Sequence, residues 1–193
     1  MTHRAALLTS LLLALPVLAD DAPEQVSRHF TLTDPLELKE FQTKGFDLID
    51  MHREPALTLG AGSHGTGFMQ HEAELRGDFT IEMEVRVTHN TPSAMLALVL
   101  NKKVSVLWGQ QIVKSKSFRP YDRHAAAPDL TIFREERVVS FKLERRGDTL
   151  RVWCNRELVE EREFTKGELK TCQFGLAAQN IRFVVSALSI EGA

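Results

Sequence analysis

The sequence predicts an all-β sandwich, and three observations carry that expectation. Apolar and polar residues alternate strictly over Phe79–Thr88, a period of two that sends successive side chains to opposite faces of a strand. Turn clusters such as Asn90-Thr91-Pro92-Ser93, Arg146-Gly147-Asp148 and Lys166-Gly167-Glu168 punctuate the chain at spacings of about 8–12 residues. Helical periodicity is weak, its best instance being one turn at Asp34-Pro35, where Asp caps and Pro suits the first helical position. The count comes to roughly eleven to thirteen short strands.

The elements follow in order. Early strands are expected at Ser27–Leu32, Phe46–Met51, Ala56–Leu59 and Thr66–Leu75. In Asp78–Thr88, Phe79, Ile81, Met83, Val85 and Val87 point one way, and Thr80, Glu82, Glu84, Arg86 and Thr88 the other. After the Asn90–Ser93 turn, Ala94–Leu100 is apolar on both parities, which marks a strand covered on both faces. Lys102-Lys103 breaks the run and Val104–Trp108 resumes it. Val138–Arg145 alternates again, turns at Gly147, and returns as Thr149–Asn155 with Leu150, Val152 and Cys154 inward and Trp153 outward. A tight Asn155-Arg156 turn leads into Glu157–Phe164, and Cys172–Ala178 and Ile181–Glu191 close the chain.

Composition bounds the function. At 193 residues and 43% hydrophobic, the chain is long enough for one domain with its own core and too apolar for disorder. Twenty-four basic residues against 26 acidic ones leave a net charge of -2, so no nucleic-acid partner is expected. Of the aromatics, eleven Phe have no polar handle and belong to packing, which leaves two Trp and one Tyr for recognition.

Residues 1–19 read as a cleavable signal peptide. Arg4 supplies the positive start, Ala5–Leu18 the apolar stretch, and Val17-Leu18-Ala19 a peptidase site with cleavage after Ala19. An uncleaved anchor is the alternative, but the stretch is shorter than the roughly 20 residues a membrane span needs. The expected organisation is a leader at 1–19, a short linker at 20–26 and one domain at 27–193, secreted or periplasmic, with no transmembrane segment in the mature chain. Outside the cytoplasm there is no nucleotide pool. The cluster Gly60-Ala61-Gly62-Ser63-His64-Gly65-Thr66-Gly67 therefore reads as a turn rather than a phosphate cradle, and no cofactor is expected. Cys154 and Cys172, both on apolar parity, either form a disulfide between strands or stay as two buried thiols.

Three motifs carry a resemblance. Gly77-Asp78-Phe79-Thr80-Ile81-Glu82-Met83-Glu84-Val85-Arg86 resembles a strand of concanavalin A-like jelly rolls. Ser140–Asn155, with Gly147-Asp148 at its turn, is similar to their hairpin, although Arg156 stands where that motif has Gly. Phe174-Gly175-Leu176 followed by Ile181-Arg182-Phe183 looks like their closing strands. The resemblance implies a concanavalin A-like jelly-roll β-sandwich of two antiparallel sheets whose face and rim loops bind carbohydrate. Laminin-G-like modules and 3-keto-disaccharide hydrolase-like domains look nearest. The segments Thr91-Pro92-Ser93-Ala94 and Val106–Gln111 lack the Asn-Ser-Gly and the acidic residue of those hydrolases, which favours binding over their activity.

Several residues are candidates for chemistry. Glu82 and Glu84, two apart on one strand face, have the separation that glycoside hydrolysis uses, and equally suit a solvated charge ladder. His64, His71 and Glu72 form a conceivable metal set, set against ordinary surface histidines. The long aperiodic stretch Gly109–Glu136 combines with neighbouring aromatics into a sugar-compatible set: Trp108, Gln110, Gln111, Arg119, Tyr121, Arg123 and Trp153. The expected function is an exported, non-catalytic carbohydrate-binding domain facing a glycan or cell-surface glycan. The alternatives are a glycoside hydrolase of the same fold and a structural domain that binds protein.

Overall fold

The computed structural model describes residues 25–50, 57–60, 66–100, 104–109 and 137–192. The leader at 1–19 lies outside them. Among the described residues the strands are β1 (Val26–Phe30), β2 (Phe41–Lys44), β3 (Leu48–Asp50), β4 (Leu57–Gly60), β5 (Thr66–His71), β6 (Leu75–Arg76), β7 (Phe79–Leu100), β8 (Val104–Gly109), β9 (Val138–Arg146), β10 (Thr149–Cys154), β11 (Glu157–Glu163), β12 (Thr171–Cys172) and β13 (Phe174–Gly192). The expected helical turn is a 3-10 helix at Glu37–Glu40, entered where Asp34 Oδ1 accepts from the Leu36 N–H at 2.8 Å. No helix of the described residues is long and apolar enough to cross a membrane.

β7 and β13 form the spine, paired antiparallel from Phe79↔Gly192 to Phe174↔Leu100. The first half of β7 carries β9, β10 and β11 on its other edge, and its second half carries β8. Along its far edge β13 is joined in turn by β5, β4 and β1. All these pairings are antiparallel, and the two halves of the spine turn their inner faces onto one core. β6 and β12 make a separate two-stranded sheet at Leu75↔Cys172.

The spine corrects two expectations. Asn90–Ser93 is not a reversal, because β7 runs unbroken from Phe79 to Leu100, and the last two expected strands are likewise one. The reason is visible in the parity of burial. Phe79, Ile81, Met83, Val85 and Val87 are buried on odd positions, whereas Leu96, Leu98 and Leu100 of the same core are buried on even ones. An odd number of residues must be absorbed between them, and the register slips at that point, where the step from Asn90 to Met95 on β7 faces only the step from Ile181 to Gln179 on β13. Asn180 sits there with φ 54 and its carbonyl accepts from the Thr91 hydroxyl at 3.1 Å. Turn-forming residues, including a Pro with no N–H to give a ladder, thus mark the corner where the sheet passes between layers.

The core is filled as the alternation requires. Phe79, Phe141, Phe174 and Phe183 are its largest fully buried side chains. Ala94–Leu100 is buried on both parities, with Ala97 and Val99 joining Ala177 and Phe68 in a smaller cluster on the opposite face. Both predicted hairpins form. Gly147 takes φ 59 at the β9–β10 turn, and Asn155 and Arg156 take φ 50 and φ 70 at the β10–β11 turn.

Candidate functional site

The outward face of β7, β9, β10 and β11 is laid down by register. Glu82 lies opposite Lys142, Lys142 opposite Trp153, and Trp153 opposite Leu158. The alternation that buries Met83, Phe141 and Val152 puts this row outside, and antiparallel pairing brings its members within reach of one another. Lys142 Nζ is 3.5 Å from Glu82 Oε1, 3.9 Å from Glu144 Oε1, and 5.3 Å from the centre of the Trp153 ring.

Beside this row opens a groove of about 480 Å³ lined by Glu82, Glu84, Ser140, Lys142, Trp153 and Arg156 above the backbone of Met83 and Phe141. Its end wall is the β10–β11 turn. The Ser140 N–H donates to Asn155 Oδ1 at 3.1 Å and the Asn155 N–H returns a bond to the Ser140 carbonyl at 2.8 Å, which clamps the turn to β9. The half-buried Trp153 supplies an aromatic surface, and carboxylate, hydroxyl, ammonium and guanidinium groups surround it. Such a set can stack on an apolar ring face and hydrogen-bond to hydroxyls.

The structure therefore unites residues that the sequence treats separately. Trp153, from the sugar-binding set, shares one groove with Glu82 and Glu84, from the catalytic pair. Trp108 belongs to a different strand pair. It lies in β8 opposite Leu96, on the half of the spine away from β10. Gln110, Gln111, Arg119, Tyr121 and Arg123 lie outside the described residues. Lys142, Ser140 and Arg156 were missed by sequence reasoning, although the parity that placed Glu82 and Trp153 outward marks Lys142 and Ser140 too.

The metal set takes another form. His64 lies outside the described residues, and among them no group of three or more His, Cys, Asp or Glu side chains is arranged to hold an ion. His71 is not a surface histidine: it is 2% exposed, with edge-on contacts to Phe30 and Phe41 at ring separations of 5.4 and 5.0 Å. Its Nδ1 accepts from the Ala73 N–H at 3.1 Å, so Nε2 carries the hydrogen and donates to Glu40 Oε2 at 3.3 Å. Both ring nitrogens are thereby used within the protein. Burial holds its pKa below the ordinary 6.5 despite the opposing pull of Glu40. Glu72 is exposed, and its N–H donates to the Glu40 carbonyl at 2.9 Å.

Of the two states open to Cys154 and Cys172, the structure has two free, buried thiols rather than a disulfide. Burial raises both pKa values, that of Cys172 to about 11, and the Cys172 Sγ donates to the Leu169 carbonyl at 3.5 Å.

Comparison with known proteins places the fold. No protein-family model matches the chain, and no curated protein is similar to it in sequence. Solved structures do match. A Bacillus subtilis protein of unknown function with a galectin-like fold aligns over 85% of this chain and 94% of its own, at 10% identity and a TM-score of 0.62. The carbohydrate-binding module CBM66 from Bacillus subtilis aligns over 79% and 96%, at 15% identity and 0.51. The metal-free Emp46p carbohydrate recognition domain aligns over 81% and 90%, at 14% identity and 0.56. At these identities the likeness is one of architecture. The chain is an all-β jelly-roll sandwich with a galectin-like fold.

Proposed function

We propose that this protein is an exported, non-catalytic carbohydrate-binding domain whose ligand lies in the groove beside Trp153. The observation that carries the reading is the groove itself, with one half-buried indole edged by Glu82, Glu84, Ser140, Lys142 and Arg156 on an open sheet face. Sugars bind by stacking an apolar face on such a ring while their hydroxyls meet planar polar groups. The fold shared with a carbohydrate-binding module and a carbohydrate recognition domain supports it. The 1–19 leader supports action in a secreted or periplasmic setting, where glycans are the abundant polymers.

A second reading, glycoside cleavage, is favoured by one observation: both Glu82 and Glu84 line the groove. Against it, a general acid works from a carboxyl shielded from water, and the Glu82 side chain is 57% exposed and paired with Lys142. A glycan array followed by calorimetry decides between them. The expected result is binding that Trp153→Ala lowers at least about tenfold, with no release of reducing sugar. Turnover that disappears in a Glu82→Gln, Glu84→Gln double variant would reverse the ranking.

A further inference from the structure

We infer that Arg156 is the specificity-determining residue of this groove, a guanidinium donor that clasps vicinal hydroxyls of a neutral sugar stacked beside Trp153; the inference rests on the groove being the binding site. The backbone is the starting point. Asn155 and Arg156 form a two-residue hairpin turn with φ 50 and φ 70, and such turns favour Gly at the second position because a Cβ crowds the left-handed region. This chain uses Gly for that conformation at Gly147 and Gly167.

The other non-glycine residues with positive φ have local explanations. Asn155 and Asn180 are of the type that tolerates the region. Leu32 is fully buried, and its N–H donates to Glu37 Oε2 at 2.5 Å. Arg156 is exposed, and its guanidinium has no carboxylate partner among the described residues. Neither packing nor an ion pair rewards the strained backbone, which leaves what the side chain does at the groove it lines.

Charge narrows the ligand class. The groove is lined by two carboxylates and two cations, and Lys142 is already held by Glu82 and Glu144. This balance gives no net field to select an acidic or basic sugar. A planar fork with five donors instead suits adjacent hydroxyls of a neutral one.

The test is calorimetry with neutral gluco-, manno- and galacto-oligosaccharides beside oligogalacturonate, on wild type, Arg156→Gly, Arg156→Lys and Trp153→Ala, together with thermal melts. Arg156→Gly is expected to melt about 2–4 °C higher, since glycine relieves the turn, while binding a neutral saccharide about tenfold more weakly. Arg156→Lys, which keeps the charge and loses the fork, is expected to bind several-fold more weakly without the higher melting point. Wild-type affinity in Arg156→Gly, with binding still lost in Trp153→Ala, overturns the role of Arg156 and leaves the groove standing. Tighter, salt-sensitive binding of oligogalacturonate overturns the neutral class. Failure of the wild type to bind either panel, or wild-type affinity in Trp153→Ala, overturns the groove as the site and the inference with it.

Discussion

Lys142 and Trp153 sit directly across from one another on β9 and β10, with the ammonium 5.3 Å from the centre of the indole ring. The pair explains how an outward-facing Trp is accommodated. One side of the ring is partly covered by a cation that Glu82 holds in place, and the ring still borders the groove. Lysine is flexible, so a ligand can displace it from the ring face.

Saccharide titration is accordingly expected to change tryptophan emission in the wild type and not in Trp153→Phe. Lys142→Ala should keep the emission response and cost less than about 1 kcal/mol of stability, the scale of an exposed cation–π contact. A response that survives in Trp153→Phe would assign it to Trp108.

The buried His71 makes stability depend on acidity. Its folded pKa is depressed by burial, so in the pH range just below 6.5 the unfolded chain binds a proton that the folded chain refuses. Stability is therefore full above about pH 6.5 and declines as pH falls through the folded pKa. His71→Phe retains the ring contacts with Phe30 and Phe41 but loses the bond to Ala73, and is expected to be about 1–2 kcal/mol less stable at pH 8. Denaturant titrations should show that gap narrowing as pH is lowered to 5. A constant gap would exclude His71 as the titrating group.

The thiols give a cleaner readout. With the Cys172 pKa pushed up to about 11 and both side chains buried, neither cysteine should react with a thiol reagent at pH 8 in the folded protein. Two equivalents should react after unfolding without reductant. A mass two units lower, with no reactive thiol, would show that the pair oxidises to a disulfide.

Arg145 is buried at 6% exposure, on the inward parity of β9. Its Nε donates to the Gly147 carbonyl at 2.8 Å and its terminal nitrogen to the Leu169 carbonyl, joining the β9–β10 turn to the segment before β12. Lysine cannot reproduce that fork. Arg145→Lys is expected to cost about 2 kcal/mol in denaturant titration while leaving saccharide affinity unchanged.

Much of the sandwich was legible in the chain, because strand alternation is a local property. Phe79 through Val87, Val139 through Leu143 and Leu150 through Cys154 are buried as their parity requires. The hairpins at Gly147 and Asn155 follow from turn chemistry alone. The Asn90–Ser93 cluster misled, because residues that favour reversal also favour a corner, and only the slip in pairing with β13 separates the two. His71 misled for a related reason. A histidine within a polar-looking segment carries no sign that Phe30 and Phe41, far away in the chain, will enclose it.

By itself, then, the sequence determined which side chains face inward, where most turns fall and that the product is a β-sandwich. Each of these depends on residues within a few positions of one another. Only the tertiary structure decided that Glu82, Lys142 and Trp153 form one row, that Arg156 walls the groove beside it, and that the strand carrying Trp108 pairs with the other half of the spine. Those relationships depend on pairing between strands whose residues lie as much as 71 positions apart, from Glu82 to Trp153. The Gly147 hairpin sets the Lys142–Trp153 pairing locally, whereas the pairing of β7 with β9, which brings Glu82 to Lys142, is set by how inward side chains interlock across the core.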